Sequence, residues 1–287
     1  MKKAITLAVM AAIFVSCNKQ PINETLGVNQ SKTADLIKDI HAISEKTLKS
    51  DRSAQVALRI KNPGTVALAD AVGGAIAGGT ASWTGIGAVF APYATVWGAF
   101  WFSKSVAEVG RVATDFSSPN NPSVPAGLEY AYIGETHNNL VFTAYQNGEF
   151  PVLINGHLHP STSNRLKSYS YSGFPVVSSD PLSNFYDNNV GIMEGYVAQA
   201  NPIANEGIQK EKDIIRTSSL SEDAKAVIIA IIDDVAGFNG SDLKALTDYC
   251  LQTEGRVNNS QLTNSDKAIV KQFLAIAHAS YYFWSAN

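Results

Sequence analysis

Two histidines, His157 and His159, stand in the segment INGHLHPST with one residue between them. If this segment is extended, both imidazoles point to the same side of the strand, because successive side chains alternate. A catalytic zinc site uses such a pair with a third protein ligand and keeps one position open for water. His41, His137, His278 or a distant carboxylate would have to supply that third ligand. With His137 in this role, the residues predict a metal-dependent hydrolase.

The alternative interpretation of these histidines is structural. Gly156 and Pro160 also fit a polar turn around the histidine pair. His137 itself lies in a segment whose pattern predicts a helix over about 125–146. The apolar residues on its face of that helix are Ile133, Leu140, Val141 and Ala144. Because Glu135 projects about 200° away from His137 on a helix, we expect His137 to be a buried, hydrogen-bonded packing residue.

The stretch IGETHNNL around His137 resembles a Gly-x-x-His-Asn element of uncharacterised secreted proteins of the Bacteroidota. This resemblance covers a short stretch and implies no activity. The chain contains neither a glycine-rich nucleotide motif nor a Gly-x-Ser-x-Gly elbow. We therefore favour a non-enzymatic protein without a cofactor, and the hydrolase is the second hypothesis.

The amino-terminal residues have the pattern of an export signal. Lys2 and Lys3 precede an uncharged, mainly apolar run from Ala4 to Val15, which is too short to span a bilayer as a helix. The residues FVSC at 14–17 resemble the lipobox of bacterial lipoproteins of the Bacteroidota type. An ordinary signal peptide that happens to contain a cysteine is the alternative.

The lipobox resemblance implies that the chain is cut before Cys17 and that the thiol of Cys17 is acylated. Two acyl chains make a stable anchor, since each buried CH₂ contributes about 0.8 kcal/mol. We expect residues 1–16 to be the signal peptide and residues 17–30 to be a flexible tether, because they are polar and rich in Asn and Gln. The resemblance places the protein in the cell envelope, anchored to a membrane, with the outer membrane favoured.

Composition excludes some function classes. The net charge is −3 and 16% of the residues are charged, so no clustered basic surface for nucleic acid is expected. Besides Cys17 the chain contains only Cys250, so no internal disulfide is expected after acylation. We predict Cys250 to be a buried small hydrophobic residue.

A long uncharged run occupies residues 71–103. Its small residues recur at helical spacing, which permits the close approach of two helices, as in the glycine-zipper regions that the run resembles. Break points at Thr84, Gly85 and Pro92 predict a hairpin of two helices, over about 65–82 and 92–112. The residues that we assign to helix packing or to membrane contact are Gly73, Gly74, Gly78, Gly79, Trp83, Trp97 and Trp101.

The hairpin has three interpretations. It can form the core of the domain, it can enter a membrane and form a pore, or it can contact copies of the same chain. A helix that is apolar all round is buried either in protein or in lipid, so the pattern alone leaves these alternatives open. We favour the core of the domain.

The fold class predicted is mainly α, a helical bundle-like body with the glycine-rich apolar hairpin and a long irregular loop. We expect residues 31–287 to form a single domain. The alternative is a subdivision into 31–148 and 188–287, on either side of the loop over 149–187. Ser219 and Glu222 have the spacing of a capping box, and Thr263 or Ser265 is expected to open the last helix.

Overall fold

The computed structural model describes the chain in several stretches. Described are residues 25–48, 63–83, 91–109, 121–146, 153–154, 157–158, 207–236 and 243–286, and single residues at 191, 195, 198, 203 and 238.

Eight helices and one short strand pair make up the described part of the chain. The helices are α1 (Thr25–Thr47), α2 (Pro63–Trp83), α3 (Ala91–Val109), α4 (Ala131–Gln146), α5 (Ile208–Thr217), α6 (Glu222–Ala236), α7 (Leu243–Asn258) and α8 (Asn264–Ala286). The strands β1 (Leu153–Ile154) and β2 (His157–Leu158) pair antiparallel. The predicted mainly α fold is confirmed.

Several helix ends differ from the predicted ones. α1 begins at Thr25, so the predicted boundary between tether and domain at residue 30 lies inside this helix. α4 begins at Ala131 and not near residue 125, because Gly127 has a φ of 137°, which no helical residue adopts. Most of the predicted loop over 149–187 lies outside the described residues.

The glycine-rich hairpin is formed by α2 and α3, which make the most extensive helix contact of the described fold. Their backbones meet at Gly73 and Gly98. A Cβ added at Gly73 would collide with the carbonyl oxygen of Gly98 and lie 2.5 Å from the ring of Phe102. A Cβ at Gly98 would lie 2.6 Å from that of Ala77 and collide with the carbonyl of Gly73. The two helices can therefore cross at this distance only because both residues lack a side chain.

The other glycines of α2 leave space for side chains of neighbouring elements. A Cβ at Gly74 would lie 3.1 Å from both Thr95 and Ile276, and one at Gly78 would displace the hydroxyl of Thr95. A Cβ at Gly79 would collide with the side chain of Leu220. Small residues on α2 thus accommodate α3, α8 and the segment before α6.

α8 is the central helix. It contacts α2, α3, α4, α6 and α7, and every residue from Ile269 to Tyr281 is buried. A helix that is covered on all sides is expected to be apolar all round, yet α8 carries buried polar residues. Within Ile269–Tyr281, the buried polar residues with a side-chain partner on a neighbouring element are Lys271, Gln272, His278 and Ser280.

Each of these polar side chains fixes α8 to a different element. Lys271 Nζ lies 2.5 Å from Glu129 Oε2, in the segment before α4. Gln272 Oε1 accepts a hydrogen bond of 2.7 Å from the Thr95 hydroxyl on α3. Because a buried polar group costs free energy unless it is paired, these contacts specify how α8 is rotated within the bundle.

α6 and α7, which both contact α8, form a second group of helices together with α1. α1 packs on both α6 and α7, and its Leu36, Ile40 and Ile43 are buried. Cys250 on α7 is 1% exposed, and burial raises the pKa of its thiol. The prediction of a buried, unreactive cysteine agrees with this environment.

The predicted capping box of α6 is wrong. The residue that caps α6 is Ser221, whose hydroxyl accepts the backbone N–H of Ala224 at 3.1 Å, and Ser219 is exposed. Leu220 is buried against Gly79 of α2, so the chain before α6 is irregular. Ser221 also donates to Asp266 in the first turn of α8, at 2.7 Å, which connects the starts of two helices.

None of the helices in the described stretches combines the length and the apolarity needed to cross a membrane.

Replacing either crossing glycine by alanine tests the α2–α3 contact. We expect Gly73→Ala and Gly98→Ala each to lower the free energy of unfolding by about 1–3 kcal/mol, because overpacking forces backbones apart. The control is Gly255→Ala on α7, where an added Cβ meets no atom of the described residues within 4 Å. Alanine is the better helix former by about 1 kcal/mol, so this control is expected to gain stability. Guanidinium unfolding of the three variants measures both effects, and equal losses at all three positions would contradict the packing account.

Candidate functional site

The structure separates the histidines that it describes. His137 on α4 is fully buried. His41 on α1 is exposed and its Nδ1 lies 2.8 Å from Asp234 Oδ1. His278 on α8 is buried, with its Nε2 2.9 Å from the hydroxyl of Thr247. These three side chains therefore belong to three different environments.

The proposed metal ligands can be placed only in part. His157 lies in β2, with its side chain outside the described residues, and His159 lies outside them altogether. Within the described stretches, no group of three His, Cys, Asp or Glu side chains has the arrangement of a metal site. His137 reaches other polar groups instead.

The residues assigned to helix packing lie where α2 and α3 meet their neighbours. Gly73, Gly74, Gly78 and Gly79 are buried, and Trp97 and Trp101 are each 1% exposed. Trp83 ends α2, and its side chain is outside the described part of the chain. Cys17 also lies outside it.

The hairpin, α4, α5 and α8 together enclose a group of polar side chains, which we call the buried polar cluster. Its members are Asp70 on α2, Ser103 on α3, His137 and Asn138 on α4, Glu211 on α5, and Ser280 and Trp284 on α8.

Asp70 is the centre of the cluster. Its Oδ2 accepts hydrogen bonds from the hydroxyl of Ser280 and, at 2.9 Å, from Nε1 of Trp284. Its Oδ1 has no hydrogen-bond partner in the part of the chain that the structure describes. Burial raises the pKa of Asp70 from its ordinary value of 3.8 to about 7, although the hydrogen bonds from Ser280 and Trp284 oppose the shift. At neutral pH, protonated and ionised Asp70 are therefore close in free energy.

His137 is held by two neighbours in a defined tautomer. The Nδ2 of Asn138 donates to the backbone carbonyl of Ala279 at 2.8 Å, which turns Asn138 Oδ1 toward His137 Nδ1 at 3.2 Å. Nδ1 therefore carries the proton, and Nε2 accepts from the hydroxyl of Ser103 at 3.1 Å. Burial lowers the pKa of His137 to about 4, so the ring is neutral at neutral pH.

The proximity of Ser103, His137 and Asp70 invites comparison with a hydrolytic triad. In a triad the serine meets one imidazole nitrogen and the carboxylate meets the other. Here Asp70 Oδ2 lies 3.7 Å from the same Nε2 that Ser103 contacts, and the other nitrogen faces an amide. All three side chains are also 0% exposed, so the serine is not presented to a substrate. These side chains share hydrogen bonds within the core, and the buried Ser103 hydroxyl is not placed to attack a bound ester or amide.

Glu211 is a fully buried acidic member of the cluster. It is 0% exposed, and neither of its carboxyl oxygens has a hydrogen-bond partner among the described residues. Burial, with a smaller contribution from the charge of Asp70, raises the pKa of Glu211 well above its ordinary value. A buried carboxylate is far less stable than the neutral acid unless it is paired, so burial favours the protonated form of Glu211.

Sequence reasoning missed both carboxyl groups, although a local signal marks each. Glu211 shares one face of α5 with the buried Ile214 and Ile215, where a charged residue is unexpected. Asp70 is the last charged residue before the uncharged run, and it is flanked by Ala69 and Ala71. An acidic residue on an apolar stripe is thus the feature that indicates the cluster.

Comparison with protein-family models, with curated protein sequences and with solved structures finds no match to this chain.

The cluster predicts an unusual dependence of stability on pH. Where the folded chain keeps a carboxyl proton that the unfolded chain has lost, stability falls with rising pH by about 1.4 kcal/mol per unit for each group. Asp70 contributes this loss between its ordinary pKa of 3.8 and its folded pKa of about 7. Glu211 contributes in the same direction above its ordinary value of 4.5. His137 acts oppositely, since its contribution is lost as pH falls from 6.5 to about 4.

The variant Glu211→Gln isolates one of these contributions. From pH 5 to pH 7 we expect its free energy of unfolding to improve relative to wild type as the pH rises, by at most about 1.4 kcal/mol per pH unit, because burial raises the pKa of Glu211 and the amide cannot ionise. Denaturant unfolding at several pH values measures this difference. The control Glu135→Gln, at an exposed position on α4, is expected to follow the wild type. A difference between Glu211→Gln and wild type that stays constant over this range would contradict the assignment.

Proposed function

We propose that this protein is a non-enzymatic lipoprotein of the bacterial cell envelope, anchored through acyl chains on Cys17, whose glycine-rich hairpin serves tight helix packing inside its own domain. The observation that carries the proposal for the hairpin is the crossing of α2 and α3 at Gly73 and Gly98, which lies within the core. The anchor rests on the residues FVSC at 14–17.

The burial of the hairpin favours packing over membrane entry. Val66 to Ala77 on α2 and Tyr93 to Phe102 on α3 include apolar side chains that are at most 3% exposed. α8 covers α2 on the side that α3 leaves open. Entry into lipid would require these helices to leave α8, which would expose the apolar surface of α8 and break the hydrogen bonds from Ser280 and Trp284 to Asp70. Both consequences oppose insertion.

The chemistry of His137 favours a non-enzymatic role. A metal ligand must offer a free imidazole nitrogen, but both nitrogens of His137 are engaged, with Ser103 and with Asn138. Binding a metal at His137 would leave one of these buried groups unpaired, which costs free energy. This arrangement weighs against the alternative of a hydrolase that uses His137 with His157 and His159.

In a protein anchored to the outer membrane, the polar amino-terminal segment serves as a spacer between the lipid surface and the domain. Acylation at Cys17 supplies the attachment, and the hairpin is then not needed as an anchor. Self-association through the hairpin is also disfavoured, because the glycines of α2 already face α3, α8 and Leu220 of the same chain.

Metabolic labelling with palmitate tests the anchor. We expect the wild-type chain expressed in its bacterial host to incorporate label and to fractionate with membranes. Cys17→Ala is expected to lose the label, because the acylated thiol is absent, and the matched variant Cys250→Ala is expected to keep it. Equal labelling of wild type and Cys17→Ala would refute the anchor.

A dye-release assay tests the pore alternative. We expect the full-length protein to release no dye from phospholipid vesicles beyond a detergent-matched blank, because the hairpin is held in the core. A pore-forming peptide serves as positive control. Dye release that rises with protein concentration would contradict the proposed role of the hairpin.

A further inference from the structure

A polar cleft lies on the surface beside α4. One wall is the segment Asn121–Val124, and the other is formed by Glu135, Asn138 and Asn139 of α4. The cleft has a volume of about 320 Å³, at the low end of the range of about 300–1,000 Å³ for small-molecule sites. It is therefore large enough for a small ligand.

The groups that line the cleft select a class of ligand. The exposed amides of Asn121 and Asn139 supply donors and acceptors. Ser123 supplies a hydroxyl and Glu135 a single carboxylate. None of the described lining residues is Lys, Arg or His, so an anionic ligand would find no counter-charge there. A neutral ligand that carries many hydroxyl groups matches this lining, because each hydroxyl can both donate and accept.

The cleft is held in shape before a ligand binds. The Asn121 amide donates to Asn139 Oδ1 at 2.6 Å, which joins the two walls. Asn138 is 1% exposed and is fixed by its contacts with Ala279 and His137. A site whose side chains are already ordered loses less entropy on binding.

An exposed aromatic ring lies on the same helix face as the cleft. Tyr132 precedes Glu135 by three residues and Asn139 by seven on α4, so the three side chains follow one another along the surface. The Tyr132 side chain is unusually exposed for a large hydrophobic residue, at 44%. An aromatic ring offers an apolar face with a hydroxyl at its edge, which suits the C–H face of a sugar ring.

From these features we infer that the cleft between residues 121–124 and α4 binds a neutral saccharide, with Tyr132 at its edge. The amides of Asn121 and Asn139 and the carboxylate of Glu135 receive the sugar hydroxyls. The half-buried Pro122 and Val124 contact the less polar face of the sugar. This inference goes beyond the proposed envelope role and does not depend on acylation of Cys17.

Ligand-observed saturation-transfer NMR tests the inference. The full-length protein is kept in a non-glycosidic detergent, so that no detergent headgroup competes, and the probes are cellobiose, maltose and chitobiose. We expect saturation transfer to at least one of these disaccharides. N-acetyl-alanyl-alanine amide, a dipeptide without charged termini, is the comparison probe. Transfer to the dipeptide but to none of the sugars would identify a peptide site and overturn the inference, as would transfer to no probe.

Variants then locate the binding. Asn139→Ala removes a wall contact and is expected to weaken the affinity about tenfold, the change that corresponds to one lost hydrogen bond of about 1.4 kcal/mol. Ser123→Trp fills the cleft and is expected to abolish binding. The matched control Asn258→Ala, also an exposed helical asparagine, is expected to bind as wild type does. Circular dichroism verifies that each variant is folded, and sugar binding that survives both cleft variants would overturn the inference.

Discussion

The close approach of α2 and α3 at Gly73 and Gly98 is the constraint on which the other features of the fold depend. Asp70 lies almost one turn before Gly73 on α2, and Ser103 lies beyond Gly98 on α3. Because the helices touch backbone to backbone, these polar groups reach the same interior space and meet His137 from α4. A wider crossing would separate Asp70 from Ser103 and open a gap along α8. The glycines therefore position the buried polar cluster as well as the apolar core.

The cluster shows how a mainly apolar core accommodates ionisable groups. His137 is fully hydrogen-bonded and neutral, and Asp70 is partly satisfied. Glu211 has no partner for either oxygen within the described stretches. Burial favours the neutral form of Glu211, since a protonated acid costs much less to bury than a carboxylate. Such an arrangement is less stable than an apolar core of the same shape, so it indicates that stability alone did not select these residues. The core also touches the surface cleft through Asn138, which lines the cleft and orients His137.

The helical pattern predicted much of the fold because it depends on local spacing. The hairpin helices extend over 63–83 and 91–109, close to the predicted 65–82 and 92–112, and the predicted face of His137 is buried. The cluster could not be predicted in the same way. The partners of Asp70 lie more than 200 residues away in sequence, at Ser280 and Trp284, and only the packing of α8 brings them together. The sequence pattern does not indicate the central position of α8, because residues such as Lys271, Gln272 and His278 are typical of a helix that faces solvent.

We conclude that the hairpin of α2 and α3 forms the core of the folded domain both in solution and when the protein is attached to a membrane. Hydrogen–deuterium exchange of the full-length protein measures this directly at the backbone amides of α2 and α3. The account predicts that these amides are among the slowest to exchange and that their protection is the same in detergent solution and on phospholipid vesicles. Amides of α2 and α3 that exchange rapidly in solution and become protected only on vesicles would contradict it.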